Sequence, residues 1–363
     1  MDNKSRYKRQ IILPEIGEQG QNKISNARIL VVGAGGLGCP ALLYLAAAGV
    51  GHIGIIDFDN IEETNLQRQI LFNTSHIGHS KAKIAAEQLS DLNPDINIEF
   101  FAEKLTDKNI EELFKNFDLV IDGSDNFATK YLINDAAVKT ATPFIYGSIL
   151  GFDGQVSVFA VSDCSPCYRC LFPSEPVGHI PNCAQAGVIG AVAGVVGTTQ
   201  AMEAIKLIVG HESFTPLIGK LWVIDMRSME NSILSLPKDP NCPVCSKDKG
   251  DIEFHQISKP CEKLREISTV QLIKDIDKYT LIDVREQNEW DLGHIKGAYH
   301  LPLSHMNNGD LPDIEKDKNI VIYCLAGIRS RQAATFLKNA GFTNLTNMSG
   351  GYEEWVQYIE CLD

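Results

Sequence analysis

The stretch Ile29-Leu30-Val31-Val32-Gly33-Ala34-Gly35-Gly36-Leu37-Gly38 decides how the first part of the chain is read. Its four unbroken apolar residues, mostly β-branched, suit a strand buried on both faces of a parallel sheet. Gly33, Gly35 and Gly38 then satisfy G-x-G-x-x-G: a tight turn, a backbone without Cβ where a phosphate approaches, and close packing of strand on helix. Free N–H groups at the start of the next helix face the anion. Asp57 follows a second apolar run, 24 positions after Gly33, where a carboxylate accepts hydrogen bonds from ribose hydroxyls. The stretch predicts nucleotide binding without saying which nucleotide.

Outward from it, residues 28 to about 150 alternate apolar strands with helical patterns. Strands are expected over 28–32, 53–57, 96–101, 119–122 and 144–149, and helices over 37–48, 80–89, through 112, and over 126–139. That alternation implies right-handed crossovers and a doubly wound α/β domain. Further strands are expected over 155–159 and 220–225, and the Pro-, Lys- and Asp-rich stretch 237–263 reads as a tether. A second, smaller α/β pattern begins near Leu264, with strands over 280–284 and 319–324. Two domains also suit a length of 363 residues.

A net charge of −13 argues against a nucleic-acid partner. The polar N-terminus has no apolar segment behind it, so no signal peptide is indicated and the cytoplasm is the default. The run AGVIGAVAGVVGTTQAM (186–202) is shorter than a membrane span and reads as a buried helix of small residues, suited to close packing or a subunit interface. Ten cysteines in a reducing compartment suggest metal or sulfur chemistry before disulfides.

Asn65-Leu66-Gln67-Arg68-Gln69 and Lys81 lie between the second and third strands. A dehydrogenase holds its pyrophosphate mostly by backbone and needs no such cations, and any single one taken alone reads first as a solvated surface charge. Displacement at the α-phosphorus of a triphosphate does need them, because pyrophosphate leaves with growing negative charge. The turn Asp122-Gly123-Ser124-Asp125-Asn126 ends another strand, on the side that lines the ligand crevice of an open α/β sheet. There Asp125 can hold Mg²⁺ against phosphates, while Asp122 serves equally well as a helix cap.

The array RYKRQI (6–11), GAGGLG (33–38), DFD (57–59), TNLQRQ (64–69), GHSK (78–81) and DGSDN (122–126) resembles the ThiF/MoeB/HesA group of E1-like adenylating enzymes over about residues 5–246. The resemblance implies a Mg·ATP pocket containing Gly36, Asp57, Asn65, Arg68, Lys81, Asp125 and Asn126, and a homodimer in which Arg9 reaches the partner's site. It also implies adenylation of the C-terminal glycine of a small ubiquitin-like sulfur carrier. Cys167-Tyr168-Arg169-Cys170 and Cys242-Pro243-Val244-Cys245 are two C-x-x-C knuckles of the kind that close a Cys₄ zinc site. Cys164-Ser165-Pro166-Cys167 has the same spacing, and the family's PCYRC-like segment selects Cys167 and Cys170. Cys183 stands where the family cysteine proposed to bond the activated carrier, or to resolve a mixed disulfide, is found. A lone cysteine is otherwise a small buried hydrophobe.

Near the C-terminus, Val321-Ile322-Tyr323 ends a strand and Cys324-Leu325-Ala326-Gly327-Ile328-Arg329-Ser330 precedes a helical pattern over 332–338. A loop of this kind turns its amides inward as an anion nest, which with Arg329 favours a thiolate at Cys324. With Leu281-Ile282-Asp283-Val284-Arg285-Glu286 and Gly293-His294-Ile295-Lys296-Gly297-Ala298 it resembles a rhodanese domain, in which Cys324 carries sulfur as a persulfide and Asp283, Arg285 and His294 are scaffold. The nest of cysteine phosphatases is the structural rival, and carries one residue more.

The expectation is an adenylation domain over 1–246, a linker over 247–263 and a rhodanese domain over 264–363, of the MoeB-rhodanese type. The implied cofactors are ATP, Mg²⁺ and Zn²⁺. The implied partners are a Gly-Gly carrier, MoaD-like for molybdopterin or ThiS-like for thiamine, and a sulfur donor such as a cysteine desulfurase or thiosulfate, with neither nucleic acid nor membrane. A nicotinamide-dependent oxidoreductase and a non-catalytic sulfur-binding protein are the distant alternatives.

Overall fold

A computed structural model describes residues 5–174, 187–254, 264–307 and 309–360, which form two compact units. In the first, five parallel strands form from the apolar runs: β1 (Arg28–Val32), β2 (His52–Ile56), β3 (Asn97–Phe101), β4 (Leu119–Asp122) and β5 (Phe144–Leu150). The sheet then continues through antiparallel β6 (Asp153–Phe159), β7 (Lys220–Asp225) and β8 (Glu230–Ser235), in the order 3-2-1-4-5-6-7-8. β8 is a finding beyond the sequence reading. Its residues are all exposed, so no buried face marks it in the pattern.

The helices are α1 (Lys8–Ile11), α2 (Gly17–Asn26), α3 (Gly38–Ala48), α4 (Lys81–Leu92), α5 (Ile110–Lys115), α6 (Phe127–Thr140), α7 (Tyr168–Leu171) and α8 (Gly190–Val209). They cover the sheet on both faces: α3, α4 and α8 contribute to one core with Ile29, Val31 and Ile121, and α5 and α6 to the other with Leu30, Val32 and Val120. α8 is long and apolar enough for a membrane by composition, but half of it is buried within the protein. Its small residues let it come close to α3, since a Cβ on Gly197 would stand 2.3 Å from the carbonyl oxygen of Leu37.

Because β1 connects outward to β2 and the chain later returns to β1's other side as β4, the strand order reverses between β1 and β4. Ligands of open α/β sheets bind outside the carboxyl ends of strands at such a point. Two backbones meet here: a Cβ on Gly33, whose φ is +90°, would lie 3.0 Å from the oxygen of Gly123, and one on Gly38 only 1.9 Å from the oxygen of Gly33.

Residues 247–254, expected as linker, instead lie against the first unit. Ile252 is buried with Val244, Cys167 and Cys242, and Lys139 Nζ stands 4.8 Å from the centre of the Phe254 ring. Two apolar residues, Ile252 and Phe254, were enough to anchor the segment and too few to form a periodic pattern.

The second unit has five parallel strands: β9 (Arg265–Ile267), β10 (Thr280–Asp283), β11 (Tyr299–His300), β12 (Asn319–Tyr323) and β13 (Asn344–Met348), ordered 11-10-12-13-9. Around them are α9 (Thr269–Asp275), α10 (Gln287–Trp290), α11 (Leu303–Asn307), α12 (Ile328–Asn339) and α13 (Gly351–Glu360). α12 begins four residues before the sequence pattern suggested, directly on the Cys324 loop.

Gly38→Ala forces a methyl group against the Gly33 carbonyl. It is expected to destabilise the protein by about 1–3 kcal/mol, read as a lower urea midpoint; an unchanged midpoint contradicts the packing described.

Candidate functional site

At the switch point of the first sheet, Asp57 leaves β2 nearly buried, its two oxygens accepting the N–H groups of Ala34 and Asp59 at 2.8 Å each. It thereby ties the Gly-rich turn to the end of β2, and each oxygen keeps a lone pair for a further donor. Burial raises its pKa above the ordinary carboxylate value, opposed chiefly by Lys81. Lys81 is the first residue of α4, behind the N-cap Ser80, and its buried Nζ donates to Asp59 Oδ2 at 3.0 Å. Asp59 was not singled out from the sequence, since a surface aspartate shows its role only when its partner 22 positions on is folded beside it.

Asn65 is buried and accepts the N–H of Glu62. Arg68 is half-buried, anchored by one guanidinium N–H to the Thr64 carbonyl at 3.0 Å, and its stem lies 3.5 Å from where a Cβ on Gly36 would stand. Asp125 and Asn126 follow β4, both exposed, and Asn126 caps α6 by accepting the N–H of Thr129 at 2.9 Å. Asp122 is not that cap. It is fully buried, accepts from Ser124 and pairs with Lys130 Nζ at 2.8 Å, while Lys130 also donates to the Gly147 carbonyl. Gln200 of α8 donates to the carbonyls of Asp122 and Ile145, which ties the end of β4 to the start of β5. The fold thus brings Gly36, Asp57, Asn65, Arg68, Lys81, Asp125 and Asn126 to the carboxyl ends of the parallel strands. Arg9 is exposed on α1.

The four knuckle cysteines converge. Sγ of Cys167 lies 3.5 Å from that of Cys242 and 4.0 Å from that of Cys170, Cys170 lies 3.5 Å from Cys245, and all four lie within 4.8 Å of one another. A tetrahedral zinc with bonds of about 2.3 Å sets its sulfurs about 3.8 Å apart, so the cluster fits such an ion. Cys164 is exposed and outside the cluster. The neighbouring thiols of Cys167 and Cys245 stabilise a thiolate at Cys242, lowering its pKa, and the same contact raises that of Cys167. The first knuckle is locked to α6: Arg169 makes a two-pronged pair with Asp135 at 2.7 and 2.8 Å, both buried, and Asn134 accepts the N–H of Tyr168 at 2.7 Å. Cys183 falls outside the described residues.

In the second unit Cys324 follows β12, buried at 1% exposure, and Ser330 Oγ donates toward its Sγ at 3.5 Å. Gly327 takes a φ of +82° as the N-cap of α12. Its carbonyl neighbours are clamped from α13, where Tyr352 N–H donates to the Cys324 oxygen at 2.7 Å and Glu353 N–H to that of Leu325 at 3.0 Å. Behind the loop the buried Asp283 and Arg285 form a bidentate pair, and Arg285 donates on to the carbonyls of Glu289 and Gly293 and lies over the Tyr352 ring at 4.0 Å. His294 is exposed and stacked on Trp290 at 3.6 Å. Arg329 is gripped by Glu289 through two short hydrogen bonds. Arg329 holds the Glu289 carboxyl below its ordinary value of 4.5. The pair's stabilisation is therefore complete above that value and is lost as pH falls through the lowered one.

Residues 7–244 match the ThiF family and residues 268–358 the rhodanese-like domain. The chain belongs to the ThiF family. Its relatives include the probable adenylyltransferase/sulfurtransferase MoeZ of Mycobacterium tuberculosis, 41% identical and covering 98% of this chain and 93% of that protein. Adenylyltransferase and sulfurtransferase UBA4 of Saccharomyces cerevisiae is 35% identical over 99% of this chain and 90% of its own length. The sulfur carrier protein adenylyltransferase of Thermus thermophilus is 45% identical over 69% of this chain and 93% of its own length. Among solved structures, E. coli MccB with ATP shares the fold at a TM-score of 0.59 and 23% identity, over 68% of this chain and 75% of that one.

In this ThiF chain the ion pair between Asp135 and Arg169 joins α6, which starts at the nucleotide crevice, to the cysteine cluster. Arg169→Ala leaves a buried carboxylate without its partner and is expected to cost about 3–5 kcal/mol, seen as a lowered thermal midpoint; a loss under about 1 kcal/mol contradicts it.

Proposed function

We propose that the chain adenylates the C-terminal glycine of a small ubiquitin-like sulfur carrier with ATP and then supplies the sulfur that replaces AMP. The convergence of Asp57, Arg68, Lys81 and Asp125 at the switch point carries this reading, because it joins a nucleotide-binding turn to the charges that phosphoryl displacement requires. A dehydrogenase has no task for these cations. The names of relatives over nearly the whole chain support the pairing of the two activities.

A carrier carboxylate oxygen attacks the α-phosphorus, and pyrophosphate leaves with the bonding pair. Asp57 receives the ribose hydroxyls. Gly36, Asn65 and Asn126 line the nucleotide, and Arg68 and Lys81 neutralise the departing charge. Asp125 is an exposed carboxylate of the kind Mg²⁺ takes beside phosphate oxygens, and the ion would screen them. Cys167, Cys170, Cys242 and Cys245 would hold Zn²⁺, which adds folding stability and no chemistry. Arg9 completes the site of a second copy in a homodimer.

The outer sulfur of a Cys324 persulfide then attacks the acyl carbon and AMP leaves with the C–O bonding pair, giving an acyl disulfide. A thiolate, assigned to Cys183, attacks Cys324 Sγ and expels the thiocarboxylate, and a dithiol reductant resets the resulting disulfide. Leu325, Ala326, Gly327, Ile328 and Arg329 form the persulfide loop. The adenylation domain, bounded at 246 from the sequence, takes in the packed residues 247–254 as well, the residues after them join it to the rhodanese domain 264–363, and the setting is the reducing cytoplasm. The carrier is MoaD-like and serves molybdopterin synthesis; a ThiS-like carrier would use the same chemistry.

With a Gly-Gly carrier, the protein is expected to exchange labelled pyrophosphate into ATP. Asp125→Ala is expected to lower that exchange at least a hundredfold, about 2.7 kcal/mol, while Cys324→Ala leaves it intact and abolishes sulfur delivery. Loss of exchange in Cys324→Ala contradicts the division of labour. Stripping zinc with a chelator is expected to lower the thermal midpoint, and metal analysis finding no zinc contradicts that assignment.

A further inference from the structure

The loop from Cys324 to Arg329 holds one cationic side chain, Arg329, and that cation is already spent. Nη1 and Nη2 of Arg329 meet Oε2 and Oε1 of Glu289 at 2.5 and 2.6 Å, a fork-to-fork pair that uses the edge a dianion would otherwise take. Glu289 is itself held, since its Oε2 accepts the N–H of Glu286 at 3.2 Å. Glu286 brings a second carboxylate whose charge also acts on Arg329. The next cation, Arg331, is paired with Glu266. Between Cys324 and Arg329 the loop residues carry no charge: Leu325 and Ala326 are exposed, and the sulfur-accepting Cys324 is buried.

From this arrangement we infer that Glu289 is a specificity-determining residue, which cancels the loop's cation and so disfavours dianionic sulfur donors such as thiosulfate relative to hydropersulfides. The inference rests on Cys324 being the sulfur-carrying residue. Both donors reach the same product. With thiosulfate, Cys324 thiolate attacks the outer sulfur, a new S–S bond forms, and sulfite leaves with the electron pair of the broken one. With a hydropersulfide the leaving group is a thiolate, and no dianion has to be bound at any stage. An unpaired guanidinium would stabilise thiosulfate on entry and sulfite on departure, and the Glu289 carboxylate removes that help and adds repulsion.

The test is steady-state sulfur transfer from thiosulfate to cyanide by the full chain, beside loading from cysteine hydropersulfide. Glu289→Gln is expected to lower the thiosulfate KM about tenfold, with a smaller change in kcat, and to raise the preference for thiosulfate over hydropersulfide correspondingly. Leu325→Arg leaves the ion pair in place, sets a new cation on the exposed rim, and is expected to move the thiosulfate KM in the same direction. Should Glu289→Gln lose all transfer through collapse of the loop, Leu325→Arg alone decides. A thiosulfate KM that is unchanged or raised in the informative variant overturns the inference, and if the unaltered chain still loads Cys324, the sulfur-carrying reading survives. Failure of the unaltered Cys324 to take sulfur from either donor refutes that reading and the inference together.

Discussion

The contact between two backbones at Gly33 and Gly123 is the constraint on which the first unit depends. β1 and β4 are neighbours with parallel register, and the turns that leave them point toward the same solvent side. With no side chain at Gly33 or Gly38, the first turn folds tightly enough for Asp57 to reach the N–H of Ala34 from the adjacent strand. The Gly-rich turn, the end of β2 and the end of β4 therefore become one rigid edge. Lys81 and Arg68 enter it from segments that follow β2, each held by a contact outside the crevice, with Asp59 and with the Thr64 carbonyl. Both positive groups are oriented by the protein itself, the preorganisation that makes electrostatic stabilisation effective.

The second unit solves a related problem with different parts. A buried ion pair, Asp283 with Arg285, lies under the Cys324 loop, and α13 donates two backbone N–H groups to the loop's carbonyls. The loop's path past Cys324 is thereby fixed at two successive carbonyls, those of Cys324 and Leu325. Buried pairs of this kind contribute little net stability over apolar packing, but removing one partner is costly. Their worth here is positional: Arg285 spans Asp283, the Gly293 and Glu289 carbonyls and the Tyr352 ring, so four segments share one register.

The strand-turn-helix units that build the crevice were legible in the sequence because their strands are continuous apolar runs closed by glycine or aspartate, as at 29–38 and 119–126. The order of the sheet's far edge was not. β8, with the sequence ENSILS and every residue exposed, has no buried face to write a pattern, and it forms because β7 offers it an open edge. The candidate site was legible where spacing carries chemistry, as in the two C-x-x-C knuckles and the Cys324 loop. What stayed hidden were the ion pairs that link distant positions: Asp59 with Lys81, Asp122 with Lys130, Asp135 with Arg169, and Glu289 with Arg329, the last two 34 and 40 positions apart. Each member is an ordinary charged residue in sequence, and only the fold decides which carboxylate meets which cation.

The account joins the two units through one chemical event on a carrier's terminal carboxylate: an oxygen is made into a leaving group, then replaced by sulfur. The most direct test is the intact mass of a purified Gly-Gly carrier after incubation with the full chain, Mg·ATP, a sulfur donor and a dithiol reductant. The account predicts a mass gain equal to replacement of one oxygen by sulfur, which needs both ATP and Cys324. A carrier mass that never changes, with any Gly-Gly carrier and either donor, contradicts it.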